Sequence, residues 1–308
     1  NLQGWFLSHG SMFLMQSGRE WKGCWPTIDW TRLSGTTVAK DTKNPNLSRY
    51  TGVIRVSPGL AMAAMELQVG DFKAHKSWLV DGERIVCVGS GIRGKGRVET
   101  TVINQPGPAR AELIVDGETV PAEAFERNVN ATWLWYQNVG YVFPAGQELH
   151  VVRESRTSNW SSVRDEVRHG KTEPVTSHYV TAVISHNGES DGYAYVMLPN
   201  VSREQMPELV KQVQERYTIE AAGPHHVMIR DAHTEAVVLW TGGQAGSVKA
   251  DRGCMALRSG ESWQVTDPTW DERELRLAID GREVSVKPQR GRSVIVDKTS
   301  APVTQSVK

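Results

Sequence analysis

Arg153, Arg156, Asn159 and Trp160 stand close together between two apolar runs. An arginine grips a carboxylate through two parallel N–H bonds. An asparagine adds a donor and an acceptor, and an indole offers a flat apolar face to a sugar ring. The group suits recognition of an acidic saccharide; the plainer alternative is a solvated loop anchored by its tryptophan. Trp133 and Trp135 are two residues apart, so on a strand they share one face. They read either as a paired sugar platform or, more simply, as a buried stripe. Trp is abundant, at 11 against 7 Tyr and 5 Phe, which fits sugar stacking and fits a β core equally well. Arg156, Asn159, Trp160, Trp133 and Trp135 are therefore the candidate substrate contacts.

Other reactive residue types form no convincing set. His225 and His226 are adjacent, and neighbouring side chains on a strand point to opposite faces. They cannot easily share one ion with His233, so no metal site is expected. Cys24, Cys87 and Cys254 are odd in number and far apart, which excludes a full disulfide framework and zinc spacing. They read as small buried hydrophobes. No GxGxxG opening a helix, GxxxxGK[ST], GxSxG or HExxH occurs. Gly89-Ser90-Gly91-Ile92-Arg93-Gly94 follows a strand and leads into no helix, so it reads as a turn or bulge. No cofactor is expected, and no residue stands out as a catalytic base. Lys+Arg and Asp+Glu both count 35 in 308 residues. With no net positive field, a nucleic-acid partner is disfavoured. No apolar run reaches the roughly 18–20 residues of a membrane span.

The elements that would position these residues are strands. Val53–Val56, Ile85–Val88, Glu112–Val115, Leu149–Val152, Tyr179–Ile184, Ala194–Leu198, Val227–Ile229 and Ala236–Trp240 are short apolar or β-branched runs. Asp81-Gly82, Asp116-Gly117, Asn187-Gly188, Asp191-Gly192 and Asp280-Gly281 read as turns between strands. The pattern predicts an all-β chain, a large antiparallel β-sandwich followed by a smaller C-terminal one. One helix is predicted after Ser202, with Gln205 completing a capping box, Pro207 in the first turns and Leu209, Val210 and Val213 as its stripe. The expected organisation is residues 1–200 for the large sandwich and 201–220 for a connecting helix or linker. A small sandwich over 221–296 and a frayed tail over 297–308 complete it. Trp30, Trp78, Tyr141, Phe143, Tyr195 and Leu198 are expected in the core. The chain opens at Asn1 without an initiator Met or an apolar leader, and reads as a mature product or a piece of a longer chain.

Trp25-Pro26-Thr27-Ile28-Asp29-Trp30-Thr31-Arg32-Leu33-Ser34-Gly35-Thr36-Thr37-Val38 resembles the W-P-T-x-D-W-x-R-L-P-G-T-T-V stretch of polysaccharide lyase family 8. Ser34 stands where that family usually has Pro, and His9 where Asp or Ser is common. Further blocks resemble the family in the same order. They are Ala63–Leu67, Lys76-Ser77-Trp78, Gly89–Ile92, Glu99–Val102, Gly140–Pro144, Arg156–Trp160 and Tyr193–Asn200. Hyaluronate, chondroitin AC and xanthan lyases share them, so the resemblance implies an acidic polysaccharide as partner. It also implies β-sandwich domains alone. The family's catalytic residues lie in an N-terminal α/α toroid, and no run of amphipathic helices exists here to build one. By that likeness the chain would support the cleft of a parent lyase, be inactive in isolation, and belong to a secreted or cell-surface bacterial enzyme. Some members hold calcium just after the Lys-Ser-Trp block. Here Asp81-Gly82-Glu83-Arg84 puts Gly and Arg where carboxylates would be wanted, which argues against it. The competing readings are an autonomous carbohydrate-binding module and a purely structural pair of sandwiches.

Overall fold

The run Tyr193–Leu198 contains no polar position other than its tyrosine hydroxyls, and the fold accounts for this by covering both faces of the strand. Tyr193, Tyr195 and Met197 point into one core, Val196 and Leu198 into another. A computed structural model describes residues 3–40, 42, 44–164, 173–187, 191–288, 292–297 and 303–304.

Twelve strands form one antiparallel sheet. They are β1 Thr37–Ala39, β2 Thr51–Ser57, β3 Leu60–Val69, β4 Phe72–Asp81, β5 Arg84–Arg93, β6 Val98–Gly107, β7 Leu113–Val115, β8 Glu118–Thr119, β9 Phe125–Tyr136, β10 Val139–Ser158, β11 Val175–His186 and β12 Asp191–Pro199. Their order is β1-β6-β11-β10-β12-β5-β4-β3-β2; β9 pairs with β10 and β7, and β7 with β8. One apolar cluster takes Ile103 and Val180 from one end of this order and Leu67, Phe72 and Cys87 from the other. The sheet therefore folds over on itself as two packed layers, and the chain is an all-β antiparallel sandwich.

Local signals place most hairpins. Asp116 and Gly117 have φ of 48° and 90°, and Asp280 and Gly281 have 50° and 78°. Two consecutive positive φ values are the twist-matched hairpin turn that Asp-Gly favours. Gln137 and Asn138 make the same turn, at 49° and 60°, without a glycine to announce it. Asp191-Gly192 is not a turn: it opens β12, where the pairing with β5 is irregular between Asp191 and Tyr193. Gly188 of the Asn187-Gly188 pair lies outside the described residues. The glycine-rich run is a bulge within β5, with the register shift against β4 falling opposite Gly91, whose φ is 56°. Trp30, Tyr141, Phe143, Tyr195 and Leu198 are buried. Trp78 is only half-buried: it packs against the margin of the first core rather than inside it.

The helix α1 Met206–Arg216 follows a 3-10 turn at Arg203–Gln205. Ser202 and Gln205 make the reciprocal capping box, with Ser202 N–H donating to Gln205 Oε1 at 2.7 Å. Met206 and Val213 are fully buried; Leu209 and Val210 pack beside them.

Beyond the helix lie β13 Thr218–Ala222, β14 His226–Arg230, β15 Thr234–Leu239, β16 Gly243–Ala245, β17 Val248–Ala250, β18 Cys254–Ser259, β19 Ser262–Thr266, β20 Leu275–Ile279, β21 Arg282–Val286, β22 Val294–Asp297 and β23 Val303–Thr304. They form a seven-stranded sheet, β13-β14-β15-β18-β19-β22-β23, and a four-stranded one, β16-β17-β20-β21. Val237, Leu239 and Trp263 meet Val248, Leu277 and Ile279 between them. Alternate residues of β15, Ala236 and Val238, face the other way and join Ile54, Leu79 and Val86 of the large sheet. Tyr50 Oη also donates across this junction to Leu239 O at 2.8 Å. Within the stretch expected to fray, Asp297 ends β22 and Val303–Thr304 pairs with that strand. The remainder of the tail lies outside the described residues.

A buried lysine holds the N-terminal segment against the sheet. Lys76 on β4 is 1% exposed, and its Nζ donates to Gly35 O at 2.6 Å and Thr37 Oγ1 at 2.8 Å. Thr37 Oγ1 hydrogen-bonds Thr100 Oγ1 (2.9 Å), which meets His186 Nε2 (2.8 Å). His186 Nδ1 lies 3.2 Å from Asp191 Oδ2. Among the described residues no carboxylate pairs directly with Lys76. Burial pushes its pKa down to about 7.

Candidate saccharide-facing site

The residues before β1 fold into 3-10 turns at Gly4–His9 and Trp30–Arg32 and build an aromatic cluster with Val38 of β1 and Tyr179 of β11. Asp29 caps the second turn, accepting from Thr31 N–H at 2.9 Å. Phe6, Trp21, Trp30, Leu33 and Tyr179 are buried there, and Trp5, Phe13, Trp25 and Trp160 are half-buried around them. Phe13 meets Trp21 edge-on with centroids 4.8 Å apart, and Trp25 stacks on Trp30 at 5.6 Å. Polar anchors fix the segment. Trp21 Nε1 donates to Leu14 O at 3.0 Å, and Tyr179 Oη donates to Cys24 O at 3.1 Å.

Arg156 borders this cluster. Its guanidinium stacks on Tyr179 with 4.4 Å to the ring centroid. Nε and Nη2 donate to Glu154 Oε1 at 2.9 and 2.6 Å, Nη1 to Asn104 Oδ1 at 3.1 Å, and Nη2 to Thr181 Oγ1 at 3.1 Å. Asn104 Nδ2 in turn donates to Asp29 O at 3.3 Å. Every nitrogen of Arg156 is thus engaged inside the protein, and one Nη1 hydrogen is left for a ligand. Arg156→Ala should lower stability by about 2–3 kcal/mol, because Asn104 and Thr181 lose a charged donor and Tyr179 loses its stacking partner. Thermal unfolding of the variant checks this, and an unshifted midpoint refutes the role.

Asn159 and Trp160 lie at the same margin. Asn159 Oδ1 accepts from Ser161 N–H at 3.1 Å and caps the turn Trp160–Ser162. Trp160 packs on the aromatic cluster with the Arg164 guanidinium 5.6 Å above its ring. Trp133 and Trp135 share a face, but it is the opposite side of the sheet. They are 8% and 9% exposed under α1, and Trp135 Nε1 donates to Val201 O at 2.8 Å. Helix and C-terminal sheet cover that face, so neither indole is an open sugar platform.

A feature missed in the sequence completes the face. Arg32 Nε and Nη2 donate to the two Glu99 oxygens at 3.0 and 3.3 Å, and Arg97 pairs with the same carboxylate. A cavity of about 320 Å³ opens beside them, with Phe6 and Val38 as apolar floor and Asp29, Arg32, Arg97 and Glu99 on its sides. Glu99 stood out only as part of a block. Its partners Arg32 and Arg97 come from a remote turn and from the residue before β6.

His226 and Asp81 are both engaged within the protein. His226 Nε2 lies 2.8 Å from Glu220 Oε1. Asp81 accepts from Arg216 Nη2 at 2.7 Å and from Tyr217 Oη at 2.6 Å, clamping the end of α1. Among the described residues no three His, Cys, Asp or Glu converge to hold a metal. Cys24, Cys87 and Cys254 are free and buried, and burial pushes their thiols up to about 11, 12 and 12. No helix among the described residues is long and apolar enough to cross a membrane.

Comparison with known proteins bears on this arrangement. The family model described as polysaccharide lyase family 8, super-sandwich domain, matches residues 1–210. Chondroitinase-AC of Pedobacter heparinus is 27% identical over 224 residues, covering 69% of this chain and 31% of its own length. Xanthan lyase of Bacillus sp. strain GL1 is 26% identical over 263 residues, covering 78% of this chain and 28% of its own length. Hyaluronate lyase of Staphylococcus aureus is 27% identical over 220 residues, covering 66% and 27%. The chain therefore spans 27–31% of the length of these relatives. A solved Paenibacillus xanthan lyase superposes with a TM-score of 0.83 at 23% identity, over 90% of this chain and 29% of that one. A Streptomyces coelicolor A3 chondroitin AC lyase, solved with chondroitin sulphate, superposes with a TM-score of 0.76 at 23% identity, over 94% and 43%. At these identities the structural likeness is one of fold.

Proposed function

The chain belongs to polysaccharide lyase family 8, and from that premise we propose that it is the super-sandwich part of an enzyme that cleaves an acidic polysaccharide by β-elimination at a uronic acid. The N-terminal aromatic face forms one wall of the cleft. The groups that move protons lie elsewhere in the parent chain, on an α/α toroid. The observation that carries this reading is the family match over residues 1–210, the stretch that builds both the 12-stranded sheet and the aromatic face.

The reaction explains the division of labour. The C5 proton of a uronate is too weakly acidic to leave unaided. Neutralising the adjacent carboxylate stabilises the carbanion-like state. A base then takes the C5 proton, the C4–O bond breaks, and an acid protonates the departing glycosidic oxygen. The product carries a C4–C5 double bond. This chain supplies binding surface for that event. The half-buried indoles of Trp5, Trp25 and Trp160 suit sugar faces, and Arg32 and Arg97 set positive charge beside the apolar floor of Phe6 and Val38. Because an intact polymer does not cross a membrane, the parent enzyme acts outside the cell or at its surface.

The test is to incubate the 308-residue chain with hyaluronan, chondroitin and xanthan and follow the near-ultraviolet absorbance of the unsaturated uronate. The chain alone should give none, since losing a set of groups that act together removes nearly all the rate. The parent enzyme should give product with no added nucleotide or flavin. Turnover by the isolated chain would move the catalytic centre into it, with Tyr136, His150, His178 and Tyr179 the first residues to substitute. Tight oligosaccharide binding by the isolated chain would instead favour an autonomous binding module, because one wall of a cleft binds weakly without its opposite half.

A further inference from the structure

Among the described residues, a lysine and an arginine are buried with no carboxylate in an ion pair with them. Lys76 can shed its proton and remain as a neutral amine. An arginine cannot, because its guanidinium stays charged at any pH a protein survives. Arg153 is that arginine. It is 5% exposed and lies on β10 on the same face as Val151 and Leu149, which point into the core between the two layers. Its Nη1 donates to Ala111 O at 2.8 Å, while Nε and Nη2 have no partner among the described residues. The neighbouring carboxylate, Glu154, is bound to Arg156. No Asp or Glu among the described residues forms an ion pair with Arg153. A buried charge left in this state is costly.

Arg153 also lines a cavity of about 160 Å³, together with Arg110, Tyr136, Ser155, His178 and Tyr179; Glu154 lines it too, with its carboxylate held by Arg156. Ser155 and His178 are directly opposed on β10 and β11, and Ser155 Oγ lies 2.6 Å from His178 Nδ1. Arg110 and Ser155 are exposed and mark the mouth. The volume is that of about five water molecules in the liquid, room for one small acid and not for a polymer.

We propose that this cavity binds a small carboxylate, such as a free uronate, with Arg153 as the buried counter-cation. The bond to Ala111 fixes Nη1 and leaves the Nε–Nη2 edge, the pair of parallel donors that a planar carboxylate takes in bidentate fashion. Arg110 adds a second positive charge at the entrance, and the Ser155–His178 pair adds polar groups for hydroxyls. The Nε–Nη2 edge is shielded from solvent, so seating a carboxylate there shifts the side chains that cover it. Affinity on the order of millimolar is therefore expected. The proposal does not depend on the lyase reading.

The experiment follows the arginine Nε–H resonances of the ¹⁵N-labelled 308-residue chain during titration with D-glucuronate, acetate, inorganic sulfate and glucose. Loss of one resonance in Arg153→Lys assigns Arg153. Glucuronate and acetate should move that resonance saturably and glucose should not, with glucuronate binding more tightly if the sugar hydroxyls are used. Arg110→Ala, which leaves the core untouched, should weaken glucuronate at least threefold and serves if Arg153→Lys does not fold. An Arg153 resonance unmoved by either carboxylate at saturating concentration overturns the proposal. An equal response to glucose, or tighter binding of sulfate than of both carboxylates, does so too.

Discussion

Replacing Lys76 by methionine should remove a pH dependence of stability worth on the order of 4–5 kcal/mol across the alkaline range. Burial lowers the Lys76 pKa from 10.5 to about 7 in the folded chain. Below about pH 7 the amine is protonated in both folded and unfolded states, and the folded state bears the full cost of the buried charge. Between about pH 7 and 10.5 the unfolded chain binds a proton that the folded chain does not. Stability therefore rises with pH through this window, by about 1.4 kcal/mol per unit. The three buried thiols act in the opposite sense above about pH 9, because they ionise in the unfolded chain first. The difference between the wild-type chain and K76M isolates the lysine. Urea midpoints of both proteins at about pH 6, 8 and 10 should show the wild-type chain gaining on the variant at each step. Parallel pH curves would mean that Lys76 keeps its proton in the fold. The absolute offset at high pH reports something else, the loss of the two hydrogen bonds to Gly35 and Thr37.

Gly89→Ala should cost about 3 kcal/mol or more, at the upper end of what overpacking causes. Gly89 pairs with Tyr193 across β5 and β12. An added Cβ would fall 2.0 Å from Tyr193 Cε1 and 2.6 Å from Cζ. The tyrosine has nowhere to retreat. It is 7% exposed, stacked on Tyr195 with centroids 5.8 Å apart, and has Lys76 Nζ 5.4 Å from its own ring. The ring lies over the glycine and fills the space a side chain would have taken, an aromatic covering a bare stretch of strand. Gly89→Ala combined with Tyr193→Ala should then cost less than the sum of the two single changes. Simple additivity in chemical denaturation would show that the methyl and the ring do not compete for the same space.

The local features of this chain were legible from residue order because their causes are local. Asp116-Gly117 and Asp280-Gly281 turn as expected since two adjacent residues set the two positive φ values. Ser202 and Gln205 cap the helix as expected since both partners lie within one turn. The strands Tyr179–Ile184 and Ala194–Leu198 were legible as strands for the same reason. Alternation also told that Trp133 and Trp135 share a face. It could not tell what covers that face, because α1 and the C-terminal sheet arrive from later in the chain. Arg156 was legible as an arginine beside a tryptophan, yet its task follows from Asn104 and Thr181, which are 52 and 25 residues away. Lys76 and Glu99 looked like letters in a block, and Arg153 like one more loop cation. A period of two assigns side chains to two faces and carries no information on which face will be dry. That depends on which layer folds over it, and burial then decides whether a charge is solvated, paired, neutralised or left needing a partner.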